Sequence, residues 1–475
     1  MSELIRDSFR YLLSRLVTGL VAVATLVIIT RLLGREAYGK YVLWIGVVSV
    51  ASTVGFQWIA AALGRFLPGQ PENQGGVVAA AAVLYRRVAI SVIGLGGLAL
   101  IITRHQSDLL LPLGFVIAST VGMGWTNIAV QIANALRRPE IFGMLNVTRG
   151  VTGLLFAVVL VSAGFGANGA LAATTLSCVA VAVVAKRLLL VNEGGVIGAS
   201  GETVSRMWRY GLPLSLTYVA VTITDLADRF LLSWFEGAGA VAGYAASYDF
   251  VQQLIGAGMN VFFLAGFPKA VAAWDSGDGK AAVGAVRSMA RMIIFFGGLA
   301  IVVFAGIAPH LCAVLFGESI REEAKRVMPY LAAALVLAAY RSFVLDAVLQ
   351  LGRRTRAQAF AIGAMALVNV VANVLLIPRL GALGAAYAMI VSVTCGVIIA
   401  GILGRAVTRM PRAFGELIAG GTVTCVVTAG VSHWSPGDAS WYALKIACLG
   451  AIAYVLIFLM LNLLGIRNQL WKRRQ

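Results

Sequence analysis

The chain has 475 residues, 60% hydrophobic and 12% charged, with a mean hydropathy of +0.89. That composition excludes an ordinary soluble globule. The net charge of +18 would by itself admit nucleic acid as a partner, but the basic residues gather in short loops between apolar runs, as at a membrane surface.

Apolar runs of about 20 residues, each long enough to cross a bilayer, begin near Tyr11, Tyr41, Val77, Asp108, Ile141 and Ala167. A second series begins near Tyr210, Ala238, Val286, Val327, Gln358 and Ala382, and a final pair near Phe414 and Tyr442. The alternating pattern of a barrel strand is missing from them, so the backbone polar groups must be satisfied inside helices. The expected fold class is an all-α integral membrane protein with about 14 transmembrane helices: two pseudo-repeated six-helix lobes plus two C-terminal helices. The expected domains are an N-terminal lobe over 1–190, a cytoplasmic linker over 191–208, a C-terminal lobe over 209–405, and an appended helix pair with a cytoplasmic tail over 406–475. The linker region is rich in glycine (Gly194, Gly195, Gly198, Gly201), which favours a flexible strap.

The repeat rests on loop landmarks. Arg31 to Tyr41 (RLLGREAYGKY) follows the first run, and Arg229 to Tyr244 follows the seventh. The longer second copy predicts an insertion of about five residues around Glu236 to Val241. Gly166 to Ala172 (GANGALA) opens helix six and Gly381 to Ala388 (GALGAAYA) opens helix twelve, while Arg137-Arg138 and Arg353-Arg354 precede helices five and eleven. Arg138 to Gly169 and Arg353 to Gly384 both span about 31 residues, which pairs Arg138 with Arg353 and, by the same offset, Gln131 with Asp346.

With the N-terminus inside, cytoplasmic loops hold about 21 Lys and Arg and outer loops about 8, a positive-inside bias that places both termini in the cytoplasm. The basic clusters read as orientation signals and anionic-lipid contacts. Met1 to Arg10 is too polar for a cleavable signal. Cys178, Cys312, Cys395, Cys425 and Cys448 stand singly, and His105, His310 and His433 have no partners in sequence. The expectation is no metal site and no catalytic residues. Loops too short to house a catalytic domain give the further expectation that the chain is not an enzyme.

Ionisable and polar residues at membrane depth are the candidate site. On helix seven Ser215, Tyr218, Thr222, Asp225 and Arg229 follow steps of three and four and share a face, flanked by Asp228. That face either lines a wet cavity, with Arg229 attracting an anion and Asp225 carrying a proton, or holds a self-neutralising Asp225–Arg229 pair. On helix eight Asp249, Gln252, Gln253 and Asn260 fall within one arc. Helix one offers Ser14, Thr18 and Thr25 beside Arg15, and helix two Ser49, Thr53 and Gln57, with Arg65 at its exit. Arg341, Asp346 and Arg149 are weaker candidates that read first as structural.

RLLGREAYGKY after helix one, Tyr210 to Ser215 (YGLPLS) opening helix seven, Asp228-Arg229 near its end, and Asn373 to Ala388 (NVLLIPRLGALGAAYA) joining helices eleven and twelve resemble one known family. It is the polysaccharide-export branch of the multidrug/oligosaccharidyl-lipid/polysaccharide exporter (MOP) superfamily, the O-antigen-type flippases, and the resemblance runs over essentially the whole chain. It implies two six-helix lobes around a cavity lined by helices 1, 2, 7 and 8. It also implies the flipping of a polyprenyl-diphosphate-linked oligosaccharide across a bacterial inner membrane by alternating access, for surface polysaccharide synthesis. The expected partners are that lipid-linked oligosaccharide, membrane lipids and a polysaccharide polymerase or assembly machinery, with no nucleic acid.

The candidate substrate contacts are Arg229, Arg15, Arg65, Arg31, Tyr218, Thr222, Gln253 and Asn260. Asp228-Arg229 is carried over as a motif match, while Arg15, Arg31 and Arg65 are inferred from placement. Asp225, Asp228 and Asp249 are the candidate ion-coupling groups, for H⁺ or Na⁺. A multidrug or organic-cation antiporter of the same superfamily is the alternative, which the three aspartates support. A membrane-embedded polysaccharide polymerase is less favoured, because the acid-rich segment Leu311 to Arg326 is small and mixed in charge.

Overall fold

Chains that bury apolar runs in lipid must close every backbone hydrogen bond within the run, and the computed structural model is built of helices throughout its described residues. It describes residues 2–69, 73–189, 199–408, 411–434 and 441–461, and gives no side-chain placement for 2–16, 216–217, 223 and 411–414. Eleven helical stretches among the described residues are long and apolar enough to cross a membrane. One of them, Pro139–Leu189, is two rods, and with Ser2–Leu32 and Gly201–Glu236 the helices number fourteen.

The first six are α1 (Ser2–Leu32), α2 (Arg35–Phe66), α3 (Gln74–Ile102), α4 (Ser107–Ala135), α5 (Pro139–Leu160) and α6 (Gly166–Leu189). Then come α7 (Gly201–Glu236), α8 (Ala238–Asp275), α9 (Gly279–Leu315), α10 (Glu318–Leu351), α11 (Thr355–Leu380), α12 (Ala382–Gly404), α13 (Pro411–Trp434) and α14 (Trp441–Met460). Several bear large apolar side chains on all sides, because lipid and neighbouring helices are equally apolar surroundings.

Packing divides the chain into Met1–Leu226 and Ala227–Gln475. The division falls inside α7; residues 190–198, which hold most of the glycines of the expected linker, lie outside the described residues. In the first unit α5 packs on α6 and α1, and α4 packs on α2, α3 and α6. Its core gathers Phe56, Trp58, Ile59, Leu63, Leu84 and Leu145. In the second unit α8, α9 and α10 pack on one another, and α11 pairs with α12. The start of α8, from Ala240 to Tyr248, is buried on every side; its small residues let neighbouring helices close around it. The appended α13 and α14 rest on α9. There Arg287 and Arg291 both clamp Glu416, and the Tyr454 hydroxyl donates to the Ile294 carbonyl at 3.3 Å.

The repeat is written in the backbone, with its register corrected in two places. Arg137 and Arg353 both have φ of 54°, a left-handed conformation that costs a residue with a side chain roughly 1–2 kcal/mol. Each closes the preceding helix in the same way. The Arg138 N–H donates to the Ala133 carbonyl at 2.9 Å, and the Arg354 N–H to the Leu349 carbonyl at 2.8 Å, the six-to-one bond of a Schellman cap. The equivalent of Arg353 is therefore Arg137, not Arg138. Further on, Gly166 (φ 52°) and Gly381 (φ 58°) make equivalent joints into α6 and α12. The first half spends one more residue between turn and joint, and the π-turn Val161–Phe165 takes it up, since such turns accommodate single insertions.

The expected insertion at Glu236 to Val241 is not a loop. Glu236 ends α7, Gly237 (φ 86°) alone makes the joint, and Ala238 starts α8. The second half is longer because α8 and α9 are: 38 and 37 residues, against 32 in α2 and 29 in α3.

Candidate functional site

Adjacent residues on a helix point about 100° apart, so Asp228 and Arg229 near the end of α7 serve different neighbours. Asp228 is 2% exposed. Its carboxylate accepts from the Tyr244 hydroxyl of α8 at 2.5 Å and from the Asn373 amide of α11 at 2.6 Å. The Asn373 amide nitrogen also reaches the Asn369 carbonyl at 2.9 Å and the Asn369 side-chain oxygen at 3.2 Å. Asn369 in turn donates to the Ser392 hydroxyl of α12 at 3.4 Å. Three helices thus meet at one carboxylate, and Asn369 ties α12 to the cluster. Its hydrogen-bond donors are neutral, and Asn373 Oδ1, buried beside it, has no hydrogen-bond partner among the described residues. A carboxylate enclosed this way is costly while ionised unless a cation or proton joins it.

Arg229 is 7% exposed and faces α8. Both terminal nitrogens donate to the Asp249 carboxylate, a forked arrangement that suits guanidinium geometry. The guanidinium also lies 5.2 Å from the centroid of the Tyr248 ring, a cation–π contact. Tyr244 and Tyr248 stack one helical turn apart, with ring centroids 6.3 Å from each other. The Asp249 side chain is 41% exposed. One end of this arrangement is sealed, at Asp228, and the other is open, at Asp249.

The remaining predicted residues are placed less tightly. Tyr218 and Thr222 are half-buried earlier on α7, where the Thr222 hydroxyl donates to the Tyr218 carbonyl at 2.8 Å. Asp225 is exposed on the same helix. Gln253 and Asn260 are half-buried on α8, one and three turns beyond Asp249. Arg31 and Arg65 are exposed at the ends of α1 and α2. The side chain of Arg15 lies outside the described residues. Of the eleven, the second unit brings together Asp228, Arg229 and Asp249.

Sequence reasoning passed over Tyr248, Asn369 and Ser392, and named Tyr244 and Asn373 only as ends of longer landmark strings. A signal was available: Asn369 and Asn373 stand four apart in an otherwise apolar helix, where each amide needs an internal partner. Arg341 and Asp346, in contrast, bond within α10 at 2.9 Å across the π-turn Arg341–Leu345. Arg149 is half-buried on α5.

Comparison with known proteins brings in a family and a fold. Residues 4–269 match the family model described as "Polysaccharide biosynthesis protein". No curated protein matches the chain by sequence. Among solved structures, the chain is similar to a lipid II flippase MurJ in an inward closed conformation, at 13% identity and a TM-score of 0.72, over 96% of this chain and 98% of that one. It is also similar to an inward-facing multidrug resistance MATE family transporter of the MOP superfamily, at 18% identity and a TM-score of 0.63, over 84% and 99% of the two chains. A MOP superfamily transporter from Pyrococcus furiosus gives 18% identity and a TM-score of 0.60, over 85% and 94%.

Proposed function

Because the chain belongs to the polysaccharide biosynthesis protein family and has the fold of MOP superfamily transporters, we propose that it flips a polyprenyl-diphosphate-linked oligosaccharide across a bacterial inner membrane. Both termini are cytoplasmic in this reading, as the distribution of Lys and Arg requires, and the product feeds surface polysaccharide synthesis. The observation that carries the reading is the forked Arg229–Asp249 pair, buried on the arginine side and open on the aspartate side. A diphosphate arriving at the open end offers Arg229 a pair of oxygens for the same forked contact, with more charge. It displaces Asp249 instead of having to recruit a bare cation into lipid.

Asp228 supplies the coupling. A proton or Na⁺ entering the site neutralises the sealed carboxylate; Asn373 Oδ1 is available as a further oxygen contact for a hard cation. Occupancy there stabilises the packing of α7 against α8, α11 and α12, and vacancy favours a different arrangement of the same helices. Alternating access needs a bistable element of this kind. Sugar hydroxyls would meet the polar side chains of α8, including Gln253 and Asn260.

Deletion of the gene followed by lipid analysis tests the proposal. Accumulation of polyprenyl-linked oligosaccharide on the cytoplasmic leaflet is the expected result, reversed by the wild-type chain and not by Arg229→Gln. Unchanged lipid-linked sugars together with lost drug resistance would favour the antiporter instead, a reading supported by the sealed aspartate. Within the flippase reading, Asp228→Asn keeps the shape of the site while removing its charge. Transport by that variant should lose its dependence on the proton or sodium gradient, measured in vesicles with an imposed gradient.

A further inference from the structure

Two adjacent arginines, Arg86 and Arg87, stand in the middle of α3, outside the site described above. Both are exposed, and neither has an ion-pair or hydrogen-bond partner for its side chain among the described residues. Unpaired guanidinium groups on a membrane helix are costly and mark a binding role by default. The distribution of apolar side chains fixes their level. Every exposed large hydrophobic residue of α3 lies after them: Ile90, Ile93, Leu95, Leu98, Ile101 and Ile102. From Arg87 to Ile102 the helix rises about 23 Å, short of a hydrocarbon thickness of about 30 Å. The pair therefore lies at the edge of the lipid-facing band, several ångströms towards its interior.

Grooves flank the two arginines. Arg87 borders one of about 910 Å³, formed with the start of α7, where Val88, Val92 and Leu95 face Val204, Ser205 and Trp208. Arg86 borders another of about 640 Å³, lined by Ala89, Ile90 and Ile93, with Val121 of α4. The carboxylate in the first turn of α7, Glu202, lines neither groove. Each groove thus joins one guanidinium to a channel of apolar side chains.

We propose that this is a binding site for an anionic glycerophospholipid. The phosphate bridges Arg86 and Arg87, and the two acyl chains lie in the two grooves on either side of α3. Charge complementarity selects an anionic headgroup, and the paired grooves select a two-chain lipid. The lipid in the Arg87 groove fills the space between α3 and the first turns of α7, so it braces these two segments against each other. The inference needs only a membrane-embedded chain and does not depend on the substrate proposed above.

The test uses the full chain in detergent, titrated with phosphatidylglycerol or phosphatidylethanolamine and read by native mass spectrometry. Wild type should hold phosphatidylglycerol roughly 30-fold more tightly than R86Q/R87Q, from two surface cations. Phosphatidylethanolamine should bind weakly and equally to both. R86K/R87K should recover most of the phosphatidylglycerol affinity. Equal phosphatidylglycerol binding by wild type and R86Q/R87Q would overturn the site, as would displacement of that lipid from wild type by a polyprenyl diphosphate. Should R86Q/R87Q fail to fold, photoactivatable phosphatidylglycerol on the wild-type chain decides. Cross-links at 83–95 and 199–208 support the site, and cross-links confined to other helices sink it.

Discussion

The second unit contains two buried arginines paired with aspartate, and they differ in every respect that matters for function. Arg341 and Asp346 are five residues apart on one helix, with side chains 9% and 6% exposed. Arg229 and Asp249 sit on different helices, with side chains 8% and 41% exposed. The first pair can separate only by unwinding its own π-turn and leaving a charge in a dry interior. The second can exchange its aspartate for another anion through the open side, and it lies beside a sealed carboxylate with neutral donors. The same two residue types thus make a fixed brace in α10 and an exchangeable contact between α7 and α8.

The largest effect that separates them is on stability. Asp346→Ala should destabilise the protein by about 3–5 kcal/mol, the typical cost of stranding a buried charge, visible as a lowered midpoint of thermal unfolding in detergent. Arg341→Met with Asp346→Leu should restore most of the loss, and the folded double variant should transport at the wild-type rate. If the double variant folds and does not transport, the brace is part of the mechanism and the contrast fails.

Arg229→Gln should leave the fold in place and lower transport of lipid-linked sugar by roughly 10- to 100-fold, matching a charge-assisted bond of about 1.5–3 kcal/mol. Arg229→Lys keeps the charge without the fork and should fall between this variant and wild type. Flipping assays in proteoliposomes give both numbers. A lysine variant indistinguishable from glutamine would mean that charge alone is not what the site uses.

Asp249→Ala should cost about 1 kcal/mol in stability, because water reaches the vacated side of a half-exposed pair. It should also tighten binding of a polyprenyl diphosphate, since the ligand no longer competes for Arg229. The smallest change is expected of Tyr248→Phe, which retains the aromatic face under Arg229 and should shift transport by less than a factor of about three. A large defect in that variant would point to the hydroxyl, and so to a role for Tyr248 that ring stacking does not explain.

Much of the architecture was legible in one dimension. Apolar runs long enough to span lipid marked the fourteen helices of the described residues, and paired arginines and glycine joints marked the duplication. Register was less legible, because a single residue absorbed in the turn Val161–Phe165 leaves no trace in composition. The Arg229 face was recognisable from helical spacing, which compares only residues of one helix. The carboxylate that forks onto Arg229 lies across the α7–α8 joint, twenty residues on. Asn369 and Asn373 were visible as amides in an apolar helix, but their link to Asp228 spans 145 residues.

What the amino-acid sequence determined alone was therefore whatever depends on local chemistry. It set which segments prefer lipid, where the chain turns, and which family the turns resemble. The tertiary structure decided which charges meet. In an apolar interior each polar group must find its partner inside the protein, and that partner is chosen by how helices pack, not by distance along the chain. Packing gave Asp228 a sealed shell of neutral donors and gave Arg229 an acid that opens to the outside.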